Sequence, residues 1–270
     1  MGVKFGALKN SIIIIEIFYR NFLRRVLKVN KLTVNCMLYG EVGKYKLANV
    51  IYKRMVNFWS RIITGKESKY SFRLFNLIKC MHDSNSSSYT SKWIIKTKEI
   101  IDLCGFSNIW ILQNSHNPKW FKNALALRIS DIDKQNWSND VENNRFCHNY
   151  RIFKSELSFQ FYLSELDFSN RLILTKLRCS NIKIPNNMSR FSTDDTEKKC
   201  KLCCKDMIGD EFHYLFICSF FETDRSKYIQ SYLTRQPNAE TMSELFNSKK
   251  VTVLNNLCSF AKNISLHFLT

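Results

Sequence analysis

Four residues near the end of the chain, Cys200, Cys203, His213 and Cys218, have the types and spacing to hold a metal ion. Within CKLCCKDMIGDEFHYLFIC they read C-x2-C-x9-H-x4-C. Two cysteines two residues apart can aim both sulfurs at one point from a tight turn. A histidine and a third cysteine, arriving after a short loop, complete the tetrahedral N/S set that Zn²⁺ takes in closed structural sites. No coordination position is left for water or substrate, so the expected cofactor is one structural Zn²⁺ that holds a fold. Cys204 offers a competing register with Cys200. Cys203 is preferred, because the two-residue spacer gives a turn whose backbone N–H groups can donate to the thiolates. An ideal helix would place His213 and Cys218 about 140° apart, so the segment must bend or leave the helix between them. Asp210 or Glu211 could orient the His ring, although acids opening a helix are the plainer reading of both.

Other reactive pairings are weak. Asp194-Asp195 has the composition of a Mg²⁺ pair, but it follows Phe191-Ser192-Thr193 in a polar stretch without flanking apolar strands, which reads as an exposed loop. His82, His116, His148 and His267 stand in contexts that suit solvated or structurally bonded rings, and Cys147-His148 lacks support as a nucleophile pair. Neither G-x-x-x-x-G-K-[ST] nor G-x-G-x-x-G occurs. A catalytic role is not expected, nor is a small-molecule substrate.

The elements that must position the metal set read as helices. Gly 7 and Pro 3 are few for 270 residues, and 45% of the chain is apolar, enough to fill a core. Helical periodicity runs from Asn10 to about Lys28, Lys46 to Ile63, Ser71 to Met81, Ser91 to Cys104, Pro118 to Asp131, Tyr150 to Leu166, Asn170 to Cys179, Glu222 to Leu233, Ser243 to Phe246 and Val251 to Phe268. In the first helix Ile13, Ile17, Phe18, Phe22 and Val26 fall near one face, and Ile12 to Ile15 reads as a buried turn. A turn is expected at Tyr39 to Gly43, and residues 180–199 read as irregular. The fold class is mainly α: a bundle-like helical region, then a small zinc-stabilised segment and C-terminal helices. The linear organisation reads as 1–81 basic helical, 82–90 a Ser/Asn linker, 91–180 helical, 181–235 zinc-binding and 236–270 a C-terminal amphipathic helix. No stretch is long enough to span a bilayer, and residues 1–10 lack a small-residue cleavage site. Six of the ten cysteines are scattered singly, which suits a reduced intracellular protein, nuclear or cytoplasmic, better than a disulfide scaffold.

Net charge is +18, and residues 1–80 hold sixteen Lys/Arg against three acids, 16 − 3 = +13. Such a field attracts polyanions and favours phosphate backbones. Candidate nucleic-acid contacts are Arg20, Arg24, Arg25 and Lys28 beside Tyr19 and Phe22; Lys53, Arg54 and Arg61 beside Trp59; and Lys119 and Lys122 beside Trp120. Aromatic rings can stack on unpaired bases while cations follow phosphates; the competing reading buries the rings and exposes only the charges.

Three strings carry a family resemblance. RCSNIKIPNNMSRF…KKCKLCCKDMIGDEFHYLFIC…FFETDR resembles the C-terminal region of non-LTR (LINE-type) retrotransposon reverse transcriptases, which ends in a basic Cys/His zinc segment. FLRRVLKVNKLTVNCMLYGEVGKYKL resembles the stretch after the polymerase domain in that family, and YRIFKSELSFQFY fits as well. Val34, Lys46 and Ser189 depart from the family pattern. The palm motif with its paired aspartates and the endonuclease are absent, so the resemblance implies no catalysis. It implies a zinc set (Cys200, Cys203, His213, Cys218) and a non-catalytic grip on template RNA or target DNA. The alternative is a zinc-dependent protein-interaction module without a nucleic-acid role.

Overall fold

The computed structural model describes residues 8–65, 69–83, 91–203 and 205–268. The expected linker 82–90 lies, from residue 84 onward, outside the described residues, as does Cys204. The chain is mainly α. In order, the helices are α1 (Leu8–Leu27), α2 (Asn35–Val42), α3 (Leu47–Ile63), α4 (Tyr70–Asp83), α5 (Lys92–Leu103), α6 (Ser107–Leu112) and α7 (Pro118–Asn143). There follow α8 (Tyr150–Phe153), α9 (Tyr162–Glu165), α10 (Phe168–Arg178), α11 (Pro185–Met188), α12 (Glu222–Tyr228), α13 (Ser231–Arg235), α14 (Ala239–Phe246) and α15 (Val251–Leu266). Extended pairing among the described residues is confined to isolated bridges, Val42 with Phe159 and Lys199 with Ile208.

Two compact units emerge, each discontinuous in sequence: residues 1–19 with 45–135, and residues 20–44 with 136–270. Helices α1 and α7 are divided between them.

The first unit closes around Trp59 of α3, whose ring stacks on Trp110 and meets Phe121 edge-on. Phe75, Ile94, Ile101, Leu125 and Ile129 complete the core from α4, α5 and α7. The N-terminus of α3 has no cap of its own. Asp133 Oδ2 accepts from Lys46 N at 3.1 Å and Glu16 Oε2 from Ala48 N at 3.2 Å, so two carboxylates borrowed from other helices meet the positive end of the macrodipole. Burial holds the Asp133 carboxyl above its ordinary pKa, against the pull of the Lys46 N–H and ammonium.

The second unit is built round an ion pair with no exposed side-chain surface. Arg178 of α10 donates from Nε to Glu41 Oε2 at 2.9 Å and from Nη2 to Glu41 Oε1 at 3.2 Å. Tyr150 Oη and Tyr162 Oη donate to the same carboxylate at 3.0 and 2.7 Å. The remaining Arg178 donors reach Phe246 O and Gln160 Oε1. Attraction to Glu41 overcomes the burial that would otherwise lower the Arg178 pKa. Phe153, Leu174, Leu177, Leu245, Leu257 and Phe260 pack as the surrounding apolar core.

Four sequence expectations are corrected. Tyr39 to Gly43 is not a turn: α2 continues through Val42 and only Gly43, with φ +59°, caps it. The run Tyr150 to Leu166 is not one helix, because α8 stops at Phe153 and α9 begins at Tyr162. Between them the backbone is drawn off by other partners: Gln160 N donates to Glu41 O, and Lys154 Nζ donates to Ser158 O. Helix α7 runs on past Asp131 to Asn143, burying Trp137 and Val141. In α1 the buried positions are Glu16, Leu23 and Leu27, while Ile13 to Ile15, Ile17, Phe18, Phe22 and Val26 are exposed. Apolar residues fill so many positions there that periodicity does not select a face; the demand for Glu16 at the α3 N-terminus does.

Candidate metal centre

The segment leading to the site is a short hairpin. Lys199 bridges Ile208, Cys200 N donates to Met207 O and Gly209 N donates to Lys198 O, both at 2.8 Å. Asp206 takes φ +47° at the turn, a conformation that Asp tolerates better than most residues. The Cys200–Cys203 turn then directs Leu202 N at Cys200 Sγ, 3.4 Å away, the amide-to-sulfur contact expected of a two-residue spacer.

Gly209 and Asp210 start the second half. A side chain at Gly209 would meet the Tyr214 ring, its Cβ 2.5 Å from the hydroxyl oxygen. Asp210 Oδ1 accepts from His213 N at 2.8 Å and so caps the turn that follows. From His213 to Ile217 the backbone is a π-helix, closed by Cys218 N donating to His213 O at 2.8 Å. This resolves the α-helical mismatch. With i→i+5 bonding, residue 218 comes back over residue 213, and both ligands face the hairpin. Arg225 of α12 satisfies the carbonyls that the wide turn leaves open, donating to Leu215 O at 2.8 Å and Cys218 O at 2.6 Å. Tyr214, Leu215 and Phe216 are buried, and the Tyr214 ring packs on Phe221 and Phe268.

The four ligand atoms converge. Cys200 Sγ lies 3.7 Å from Cys203 Sγ and 3.9 Å from Cys218 Sγ, and Cys203 Sγ lies 3.4 Å from His213 Nε2. All lie within 4.8 Å of one another. A zinc–sulfur bond of about 2.3 Å implies tetrahedron edges of about 3.8 Å, and somewhat less toward nitrogen. The 3.4, 3.7 and 3.9 Å separations lie close to that figure, and the sulfur–sulfur pairs are far too long for a disulfide, at about 2.05 Å. The donor set therefore fits a closed Cys3His zinc site with Cys203 among the converging atoms, while Cys204 lies outside the described residues.

The electrostatics divide the set. Burial pushes the Cys200 thiol up, but the nearby Tyr214 hydroxyl and the N–H groups of Leu202 and Cys203 bring it below its ordinary value. Burial and the neighbouring Cys200 and Cys203 push Cys218 up to about 12, against the pull of the Phe220 N–H, so its thiolate is formed only with a cation at hand. Burial lowers the His213 pKa, with Asp210 opposing, which keeps the imidazole neutral and its Nε2 lone pair available. Lys198, Lys199, Lys201 and Lys205 surround the site in sequence and oppose the net negative charge of three thiolates on one divalent ion.

Neither Asp210 nor Glu211 touches the His213 ring. Asp210 bonds the backbone and Asn149, and Glu211 accepts from Asn149 and Asn187. His213 Nδ1 is buried without a partner, so packing against Tyr214 fixes the ring instead. Asp194 accepts from Thr196 and Asp195 pairs with Lys198 in an exposed turn, as its polar setting implied. Sequence reasoning did not single out Arg225 or Gly209; Arg225 closes the FFETDR string, its only signal.

The nine basic candidates fall in both units. Arg20, Arg24, Arg25 and Lys28 belong to the second, and Lys53, Arg54, Arg61, Lys119 and Lys122 to the first. Arg25, Lys28, Arg54, Arg61, Lys119 and Lys122 are exposed, and among the described residues none of the nine pairs with an acid. Arg24 is committed to Thr33 O and Asn35, and Lys53 to Ser130. Of their aromatic neighbours Trp59 is core, whereas Phe22 and Trp120 are exposed.

Compared with protein-family models, curated proteins and solved structures, the chain matches none. No helix among the described residues is long and apolar enough to cross a membrane.

Proposed function

We propose that this chain is a zinc-stabilised, non-catalytic nucleic-acid-binding module related to the tail of a non-LTR retrotransposon reverse transcriptase. The observation that carries the reading is the closed Cys3His set, found in a chain whose exposed candidates Arg25, Lys28, Arg54, Arg61, Lys119 and Lys122 have no acidic partner among the described residues. A closed site supplies folding free energy rather than chemistry, and unpaired Lys and Arg are what a phosphate backbone requires. The three strings that resemble the family also meet in one place. Glu41 comes from FLRRVLKVNKLTVNCMLYGEVGKYKL, Tyr150 and Tyr162 from YRIFKSELSFQFY, and Arg178 opens RCSNIKIPNNMSRF. Their co-occurrence thus has a physical cause in a shared buried ion pair, which supports reading them as one inherited core.

The test measures metal and binding together. Purified chain is expected to carry one zinc that Cys203→Ser loses, and to bind single-stranded RNA or DNA with an affinity that falls steeply with salt. Absence of zinc from both proteins, or binding indifferent to salt, sinks the reading.

A second reading has its own support. In the first unit's part of α1, Ile14 and Phe18 stand i, i+4 apart with 65% and 71% of their surfaces exposed, the spacing of a helix-docking ridge. A protein-interaction role would leave nucleic-acid binding absent and make partner capture sensitive to Phe18→Ser.

A further inference from the structure

Beside the zinc segment, within the second unit, lies a polar cleft of about 230 Å³ lined by residues from 145–149, 180–198 and 208–211. Its walls hold two guanidinium groups on one ring: Arg145 sits 4.7 Å and Arg190 5.1 Å from the centroid of Phe146. Arg145 has no acidic partner among the described residues, while Arg190 donates to Leu32 O and Ser180 O. Lys198 adds a third cation, tied to the exposed Asp195. Burial lowers the Arg190 pKa and Glu211 only partly offsets it, while Arg145 has no acid at all among the described residues, so an anion in the cleft gains charge-assisted partners. Bidentate guanidinium geometry favours phosphate in that role.

The inner wall supplies an independent sign. Asn149 is only 7% exposed, and its Nδ2 donates to Asp210 Oδ2 at 3.2 Å and Glu211 Oε2 at 2.8 Å. Because both neighbours are carboxylates, the nitrogen must face them, which fixes the amide orientation. Oδ1 is then a buried acceptor with no donor, a state that costs free energy until a donor arrives. Phe191, which stands between the cleft residues Arg190 and Ser192 in sequence, packs edge-on to the cleft's Phe146 with 59% of its surface exposed. A ring held on one side and open on the other is a stacking platform.

The geometry points to this cleft as the seat of one unpaired nucleotide of single-stranded nucleic acid. The phosphate is held by the cleft's guanidinium groups, with Arg145 the unpaired one, the base stacks on Phe191, and the polar edge of the base turns toward Asn149. The inference rests on the nucleic-acid reading above and names the place and the strand state. A duplex cannot offer a base to a platform of this kind without unpairing it.

Fluorescence anisotropy on the full-length, zinc-loaded chain tests it, with a labelled single strand of about ten nucleotides and a duplex of the same sequence. Phe191→Ala is expected to weaken single-strand binding about five-fold or more while leaving the duplex unchanged, and Phe191→Trp to keep it. Arg145→Gln should reduce the slope of log affinity against log salt by about 0.7. Both side chains are well exposed, so unchanged thermal unfolding confirms that the variants fold. If the parent chain binds but Phe191→Ala and Arg145→Gln bind equally well, the cleft assignment fails and the general reading survives. If the parent binds no nucleic acid at all, both fall. A nucleoside monophosphate that competes as well as the strand would reassign the cleft to free nucleotides and overturn the strand-binding claim.

Discussion

At the scale of single residues, the second unit depends on charges held away from water. Glu41 and Arg178 satisfy each other so fully that removing either leaves an uncompensated ion. Glu41→Gln is expected to lower the free energy of unfolding by about 3–5 kcal/mol, read as a shift in urea midpoint with little change in slope. The double variant Glu41→Gln/Arg178→Met should recover part of that loss, and a strictly additive double would contradict the pairing. Lys154 makes a different case. It is 3% exposed, bonds only Ser158, and burial brings its pKa down to about 8. Its folded value lies below its unfolded one, so the unfolded chain binds the extra proton across the interval between them. Stability should therefore rise with pH from about 8 toward about 10.5, by up to about 3 kcal/mol, and Lys154→Met should abolish that slope. Parallel pH profiles of unfolding for the parent chain and the variant would refute the assignment.

At the scale of elements, the π turn is the device that makes the metal spacing work. Cys218 follows His213 by five positions, which an α-helix would splay and a hairpin would not hold rigid. The sequence showed that the helix must give way there. It did not show how, because a π turn has no composition of its own; it is selected by Asp210 capping one end and Arg225 collecting carbonyls at the other. Gly209 is part of the same device. Gly209→Ala should destabilise the zinc segment by about 1–3 kcal/mol through collision with Tyr214. Tyr214→Phe gives up the hydroxyl's interaction with Cys200 but removes the atom nearest the added methyl, so Gly209→Ala/Tyr214→Phe should cost less than the sum of the two single changes. Thermal unfolding of the three variants decides this, and an unrelieved double would place the fault elsewhere. The longer helices were legible because their apolar periodicity runs over several turns, whereas the short α2, α6 and α11 were not. The failures at 39–43 and 150–166 came where Glu41 recruits the backbone from afar, a demand that no local window contains. The four ligands were legible because cysteine spacing is a local pattern; the cleft around Arg145 and Arg190 was not, since it joins segments far apart in sequence.

At the scale of the whole molecule, charge and metal are separable. Chelation should release the ion, loosen residues 198–218 and expose Tyr214, seen as a new mobile region in hydrogen exchange. The first unit contributes no ligand, so its core around Trp59 should keep its protection; loss of protection throughout would show that the metal supports more than its own segment. The units are also interleaved along the chain. A fragment starting at residue 136 retains every zinc ligand and the cleft, yet lacks Glu41, and Arg178 is left in an apolar interior without a counter-ion. The zinc segment is consequently not a portable cassette. Any fusion, truncation or recombination that transplants it as a working fold must carry the distant stretch 20–44 as well, so the smallest transferable unit is a pair of segments rather than a single run of chain.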